Sequence, residues 1–382
     1  MKRQIVCLVG LTLTLSVMAQ TKAVRIESPI VSEKDFMWYV EQKEAWKALT
    51  QKDPMNETAW MNYYHAARYM AWFQQEDTTA QQVVREMEKI IPDSYTFNFC
   101  AFRESSSGKG YGDPKKYAEA ALANLPDEMQ FFDYDNWVCY LAMQGDEVRM
   151  KPLAKRYFDS GIYSEAVLRY SYNELSGMDE GGIYIANGDA AIIPKWLIQE
   201  GMNVHKDKTI LCASFLAVKE YREWLFRKLG IELPVLKDPQ SAEDYDANQI
   251  ALINAIIDKY GSKVYFSPLN INTSNYWKQN LYNEGLLLKY SKKPYDNLAI
   301  KRHNVEERYM LEYLLVSFHP EWTAGQRLSA NYAVLLADLL PYYAKHDQKR
   351  YDWLMRLLVS GITNTSFSEE RKREFMNLLM EK

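Results

Sequence analysis

The sequence predicts a helix-rich α/β protein with tetratricopeptide-like helical hairpins, a small mostly parallel four-stranded α/β unit and a helical C-terminal tail. Three observations support this prediction. Helix-ending prolines followed by aromatic residues recur in the first half of the chain. A strand–turn–helix–strand pattern occupies its middle, and two strands joined through a helix build a parallel sheet. Amphipathic patterns with a helical period follow. The predicted regions are 35–175, 176–300 and 301–382, after a signal peptide at 1–19.

The N-terminal residues have the pattern of a cleavable export signal. Lys2 and Arg3 precede the apolar run Ile5–Val17, and small residues end at Ala19. This run is too short to span a bilayer, which takes about 20 residues. The residue after the predicted cut is Gln20 rather than Cys, which argues against a lipid anchor. We therefore expect a periplasmic or secreted protein, cut after Ala19.

The charge balance disfavours nucleic acid as a partner. The chain has 46 Lys and Arg against 50 Asp and Glu, and removal of Lys2 and Arg3 with the leader leaves 44 against 50, a net charge of −6. Binding to phosphates needs a basic surface. No segment after the leader is apolar enough to cross a membrane, so we expect a chain that is not membrane-spanning.

Three cysteines remain after the leader, namely Cys100, Cys139 and Cys212. Their spacing does not resemble that of a metal site. Their odd number and apolar surroundings favour buried thiols, although a disulfide between two of them stays open. We predict neither a metal nor a cofactor.

The region 35–175 has a repeating helical pattern. Pro54, Pro92 and Pro126 each end a helical segment, lie 38 and 34 residues apart, and are followed by an aromatic residue that opens the next helix. A tetratricopeptide repeat has about 34 residues. Stacked helical hairpins leave an extended groove that commonly holds a partner, so this region predicts the binding of a protein or peptide.

The region 176–300 alternates short apolar runs with helical patterns. The predicted strands are Gly182–Ala186, Thr209–Ala213, Lys263–Phe266 and Leu286–Tyr290. The turn Asn187-Gly188-Asp189 follows the first strand, and an acidic linker is expected at Leu236–Asp246. In the region 301–382, helical patterns predict helices at Val305–Phe318, Ala324–Tyr343 and Tyr351–Val359.

Several segments resemble a known family in the same order along the chain: Gly182–Gly230, Lys263–Pro268, Leu281–Tyr290 and Arg327–Leu339. The family comprises large multi-spanning membrane proteins of the Gram-negative envelope with a glycosyltransferase-like membrane part, and the resemblance is to their soluble C-terminal region. It covers roughly Ser164 to Ala344, about half of the chain after the leader.

The resemblance is clearest at the first strand–helix turn. The residues that match the family there are Asn187, Gly188, Asp189, Pro194, Trp196, Gln199 and Glu200. Ala190, Ala191 and Ile192 replace polar residues of the family pattern. The resemblance implies the α/β fold and an envelope location, and it points to a link with carbohydrate chemistry.

Candidate ligand-binding residues follow the predicted parallel strands, because ligands of open α/β sheets bind beyond the strands' carboxyl ends. These residues are Asn187, Gly188, Asp189, Ser214 and Ser267. The same residue types are ordinary helix caps and turn formers. Asp189 in particular has two open roles, namely a ligand contact and a cap of the following helix.

No catalytic constellation is recognisable. The five histidines lie in separate elements and show neither metalloprotease nor nucleophile-elbow spacing. The pattern favours an exported, non-catalytic envelope interaction protein, whose helical groove binds a protein or peptide partner. The alternative is a carbohydrate- or nucleotide-sugar-handling module that uses the strand-end pocket around Asp189. The family resemblance and an aromatic content of 14% support this alternative, although aromatic residues also pack helical repeats.

Overall fold

The computed structural model describes residues 21–380, except for 30, 72, 74–77, 107–110, 269–273, 317–324, 326–327 and 364–367. The predicted signal peptide therefore lies outside the described residues. The chain divides into two compact units. The first comprises the residues up to Ile26 together with Lys34–Pro126, and the second comprises Glu27–Glu33 together with Asp127–Lys382. The region boundaries predicted near 175 and 300 stay predictions.

The first unit is built from helices that pack against their neighbours in the chain. As predicted, helices begin shortly after Pro54 and Pro92, because proline ends one helix and the next starts a few residues later. Asn56 caps the second helix by accepting a hydrogen bond from the N–H of Ala59. The assignment to tetratricopeptide-like repeats stays a prediction. The helices are α1 (Phe36–Lys52), α2 (Glu57–Met70), α3 (Thr79–Ile90), α4 (Tyr95–Ser106) and α5 (Pro114–Leu122).

The second unit begins with three helices and continues into alternating strands and helices. Ser164 caps the third of these helices by accepting a hydrogen bond from the N–H of Val167. The elements up to the sheet's third strand are α6 (Phe131–Met143), α7 (Glu147–Asp159), α8 (Glu165–Ser176), β1 (Ile183–Ala186), α9 (Asp189–Leu197), β2 (Thr209–Cys212), α10 (Lys219–Leu229), α11 (Ala242–Tyr260) and β3 (Val264–Phe266).

The remaining elements complete the sheet and add C-terminal helices. They are α12 (Ser274–Trp277), β4 (Leu281–Asn283), β5 (Leu288–Tyr290), α13 (Leu298–His303), α14 (Asn331–His346), α15 (Gln348–Thr363) and α16 (Glu369–Met380). None of the helices that the structure describes is both long enough and apolar enough to cross a membrane.

The sheet is mixed, and its strand order among the described residues is β2-β1-β3-β5-β4. The strands β2, β1 and β3 are parallel, with Ile183 paired to Thr209 on one side and to Val264 on the other. The strand β5 runs antiparallel to both β3 and β4. The helix-rich α/β class is thus confirmed. The prediction of a mostly parallel, four-stranded sheet is corrected, because the described residues form five strands with two parallel and two antiparallel pairings.

One face of the sheet is covered by α10 and α11. Alternate residues of the central strands, such as Ile183 and Ile185 of β1, point to this face because strand side chains alternate. They form one buried cluster with Leu225 of α10 and with Ile253 and Ile256 of α11. Their burial removes apolar surface from water, which is the main force that holds the two helices on the sheet.

Helix α8 connects the sheet to the C-terminal helices. Tyr170 of α8 packs edge-on against Tyr332 of α14 with ring centroids 5.4 Å apart. Asn173 is completely buried, and its amide donates to the carbonyl of Met310 and accepts from the N–H of the same residue, at 2.9 and 2.8 Å. The C-terminal helices therefore share a core with α8 rather than forming a separate tail.

Two further predictions, one of a helix and one of a linker, are corrected. The segment predicted as the helix Val305–Phe318 instead contains a π turn at Asn304–Arg308 and a 3₁₀ turn at Glu312–Leu315, and residues 317–318 lie outside the described part. Helix α11 begins inside the predicted acidic linker, because Ser241 accepts a hydrogen bond from the N–H of Asp244 and caps the helix.

Candidate functional site

Two of the predicted site residues meet at the carboxyl edge of the parallel strands. Asn187 follows β1 and Ser214 follows β2, and the parallel pairing brings both strand ends to the same edge. The side-chain oxygen of Asn187 accepts a hydrogen bond from the backbone N–H of Ser214 at 3.1 Å. This contact ties the two strand-end turns together.

Gly188 and Asp189 form the start of helix α9. Gly188 precedes the helix with a φ of +89°, which glycine adopts at little cost. Asp189 is exposed, and its carboxylate accepts from the N–H of Ala190 at 2.7 Å. A negative charge in the first turn also interacts favourably with the helix dipole. The cap position of α9 is Gly188 and carries no side-chain cap bond, so Asp189 is the first residue of the helix and not its cap. A ligand contact of Asp189 stays a prediction.

Ser267 faces the interior of the unit rather than the open edge. It is 1% exposed, and its N–H extends the sheet by donating to the carbonyl of Ile185 at 2.9 Å. Its side chain hydrogen-bonds Tyr184, whose hydroxyl also donates to Glu174 at 3.2 Å. The predicted residues therefore do not all line one surface cleft, and residues 269–273 beyond Ser267 lie outside the described part.

A cleft of about 290 Å³ lies beside the end of β2. Of the five predicted residues only Ser214 lines it. The other walls come from the 3₁₀ turn Ser214–Ala217, the start of α10, the segment 236–239 and the first half of α11. Its floor is apolar, with Leu216 and the 1% exposed Leu252. An apolar floor with polar walls is the common composition of small-ligand sites.

A second candidate site lies on α1 and α2 of the first unit. The segment Lys22–Ile26 has no helix or strand of its own, yet its backbone is bonded to side chains of the two helices. Gln42 of α1 accepts from the N–H of Val24 at 2.7 Å and donates to the carbonyl of Lys22 at 3.2 Å. Trp46 donates to the carbonyl of Val24 at 2.8 Å.

Asn62 of α2 continues this row of contacts, accepting from the N–H of Ile26 at 2.7 Å. All the bonded backbone groups belong to residues 22, 24 and 26. This period of two is that of an extended chain with one edge turned to its partner. Gln42 and Asn62 are 2% and 1% exposed, and buried amides need hydrogen-bond partners. The extended segment supplies both partners of Gln42 and the donor to the Asn62 oxygen.

No recognisable catalytic group includes a histidine that the structure describes. His65 is buried, and burial together with the charges of Arg103, Arg68 and Arg25 lowers its pKa from 6.5 to about 3. His205 is half-buried, and its Nε2 lies 3.3 Å from the hydroxyl of Ser176. No carboxylate of the described residues hydrogen-bonds the other ring nitrogen of His205, as a serine–histidine–acid triad would require. Within the described part of the chain, no cluster of three His, Cys, Asp or Glu could hold a metal.

The cysteines Cys100, Cys139 and Cys212 are free thiols. The structure thus resolves the alternative that the sequence left open for them.

Two sets of candidate binding residues were not predicted from the sequence. The first is Gln42, Trp46 and Asn62, and the second is the charged residues of the cleft. The alternation of apolar Val24 and Ile26 with charged neighbours was a usable signal for an extended segment. The helical amides carried no such signal, because nothing local in the sequence reveals a partner 18 or 36 residues away.

Comparisons with protein-family models, with curated proteins and with solved structures found no match for this chain.

Proposed function

We propose that this protein is an exported, non-catalytic envelope protein that binds an extended segment of a protein or peptide partner across α1 and α2. The observation that carries the proposal is the row formed by Gln42, Trp46 and Asn62, which holds an extended segment of the chain itself by its backbone. The predicted signal peptide and the resemblance to envelope proteins support the location, and the predicted repeat pattern supports a binding role.

The contacts of this row suit peptides of varied sequence. Gln42, Trp46 and Asn62 bond backbone groups, which every peptide except at proline possesses. Side-chain selectivity comes from Ile26, which is 2% exposed while Val24 is 46% exposed. The site therefore selects one buried aliphatic residue in an extended segment and tolerates variation around it, as in other modes of extended-peptide recognition.

The chain's own segment competes with any partner. Because it is tethered to the site, its effective concentration is of the order of millimolar. A partner must therefore displace it, and weakening the docking of the own segment should strengthen binding of an added peptide. A gain in peptide affinity when the chain's own segment docks less well distinguishes a binding site from a contact that only stabilises the fold.

The experiment measures fluorescence anisotropy of a labelled peptide with the sequence of Thr21–Glu27, added to the chain that begins at Gln20. Ile26→Ala in the protein should raise the affinity for the peptide by about tenfold or more, since loss of a buried isoleucine side chain costs about 2–5 kcal/mol. Adding Gln42→Leu to that variant should abolish the gain, because two backbone groups of the peptide lose their partner.

Gln51→Leu, at an exposed position of the same helix, is the matched control for Gln42→Leu. Asp189→Ala should also leave peptide binding unchanged, because Asp189 belongs to the second unit. The proposal is wrong if the Ile26→Ala protein does not bind the peptide, or if it binds equally well with and without Gln42→Leu.

A carbohydrate-handling function is the second candidate. Of the residues predicted for it, Asn187 and Ser214 are in contact, and Ser214 borders the cleft at the end of β2. This cleft, rather than a pocket around Asp189, is the observation that favours the second candidate.

A further inference from the structure

The cleft at the end of β2 has the size of a site for one small molecule. Its volume is about 290 Å³. Ligand sites begin near 300 Å³, so the cleft suits a compact ligand. It also lies at the edge where open α/β sheets bind ligands.

Three side chains hold the walls of this cleft in place. Asn248 of α11 bonds both the N–H and the carbonyl of Lys237, at 3.1 and 2.9 Å. Gln249 donates to the carbonyl of Ala213 at 2.9 Å. Arg222 donates to the carbonyl of Ala217 at 2.8 Å. Each of these bonds fixes a different wall segment of the cleft. The cleft is therefore preformed, and little conformational entropy is lost when a ligand binds.

The charged side chains of the cleft lack an ion-pair partner within the described part of the chain. No ion pair of the described residues involves Arg222, Lys237 or Asp246, whereas Lys219 and Lys228 of α10 are each paired with a glutamate. The Nε of Arg222 is buried without a hydrogen-bond partner in the described structure. The two cations and one carboxylate give the lining of the cleft a net positive charge. The buried Nε–H of Arg222 is unfavourable without an acceptor, which a ligand would supply.

A flat apolar surface stands beside these charges. Tyr245 lines the cleft and is 55% exposed, and Leu216 and Leu252 form the floor. An exposed tyrosine ring offers a large apolar face at little cost in conformational entropy. The ligand that matches this lining is small, carries a carboxylate, has hydroxyl groups, and presents one apolar face.

From this lining we infer that the cleft binds a sugar acid. Its carboxylate lies toward Arg222 and Lys237, its hydroxyls hydrogen-bond Asp246 and Ser214, and one face of the sugar ring rests on Tyr245. The inference does not depend on peptide binding by α1 and α2, because the two sites belong to different units.

The test uses D-glucuronate as the probe, titrated into the intact chain that begins at Gln20 and followed by calorimetry and ligand-observed NMR. Saturable binding is expected, and D-glucose should bind about tenfold or more weakly because it lacks the charged acceptor. Lys237→Gln and Tyr245→Ala should each weaken the binding of D-glucuronate by a similar factor. Both positions are exposed, so both variants should fold.

Lys292→Gln and Tyr276→Ala are the matched controls, because both residues are exposed and lie outside the cleft; they should bind as the unaltered chain does. The inference is overturned if D-glucuronate shows no saturable binding to the intact chain. It is also overturned if D-glucose or acetate binds equally well, or if the two cleft variants keep full affinity.

Discussion

The ammonium of Lys195 lies 2.6 Å from the carboxylate of Glu174, and the two side chains are only 1% and 2% exposed. Lys195 belongs to α9 and Glu174 to α8, and the hydroxyl of Tyr184 on β1 donates to the same carboxylate at 3.2 Å. Burial raises the pKa of Glu174 and lowers that of Lys195, while the attraction between them opposes both changes. One enclosed ion pair therefore joins two helices to strand β1.

Removing one partner of this buried ion pair should strongly destabilise the folded protein. We expect Lys195→Met to lower the free energy of unfolding by about 3–5 kcal/mol, because it leaves the carboxylate of Glu174 buried without its cation. Urea unfolding followed by circular dichroism measures the change.

The paired replacement provides the decisive comparison. Lys195→Met combined with Glu174→Leu should cost less than Lys195→Met alone, because no buried charge is then left unpaired. The exposed pair Lys219–Glu223 is the control, and Lys219→Met should change the stability by about 0.5 kcal/mol or less. Simple additivity at the buried pair would contradict this account.

His65 should make the protein less stable in mild acid. Its pKa is about 3 in the folded chain against 6.5 for an ordinary histidine. Between these values the unfolded chain binds a proton that the folded chain does not, so the stability contribution is complete above pH 6.5. It is lost as the pH falls, by about 1.4 kcal/mol per pH unit.

Urea unfolding at pH 7, 6 and 5 tests this dependence. His65→Gln should flatten the decline in stability below pH 6.5, whatever its effect at pH 7. His346→Gln, at an exposed position, should leave the decline as it is. An equally steep decline in the His65→Gln protein would assign the acid sensitivity to other groups.

Two glycines that follow helices should respond differently to alanine. Gly145 and Gly161 have nearly equal φ angles of +67° and +65°, but a Cβ on Gly145 would lie 2.6 Å from Trp224, whereas a Cβ on Gly161 meets nothing within 4 Å. Gly161→Ala should therefore cost about 1–2 kcal/mol for the backbone conformation alone. Gly145→Ala should cost about 1–3 kcal/mol more, because α10 must shift. Thermal unfolding measures both, and equal losses would contradict the close approach of Trp224.

Asn187 should contribute more than Asp189 to the stability of the turns that follow β1 and β2. Asn187→Ala removes the acceptor of the Ser214 N–H and should cost about 1 kcal/mol. Asp189→Ala removes a favourable charge at a helix start and should cost about 0.3–1 kcal/mol. Hydrogen exchange of the Ser214 amide separates the two effects, since only Asn187→Ala should speed it. Equal acceleration in both variants would mean that Asp189 also supports the Ser214 turn.

The parallel strands were predictable because each is a short and mostly buried apolar run. The clearest case is Ile183–Ala186, which ends at the turn residue Asn187. The strand β4 was missed for the opposite reason. Its residues Leu281–Asn283 are only partly buried and show no apolar run, and their pairing with β5 depends on the tertiary position of β5.

The failed helix prediction at Val305–Phe318 has a long-range cause. Its apolar residues have helical spacing, but Asn173 bonds both backbone groups of Met310. A helix needs those two groups for its own hydrogen bonds, so the segment divides into two short turns. Among the strand-end residues, Asn187 and Ser214 meet as the parallel pairing predicts, whereas Ser267 is buried and bonds side chains from distant parts of the chain.

The hydrogen bonds of Asn173 also limit when this part of the chain can fold during its synthesis. Met310 is synthesised 137 residues after Asn173, which at about 5–20 residues per second takes roughly 7–27 s. During that interval the amide of Asn173 lacks the partner that it has in the folded chain. The shared core of α8 and the C-terminal helices therefore closes only when most of the chain has left the ribosome.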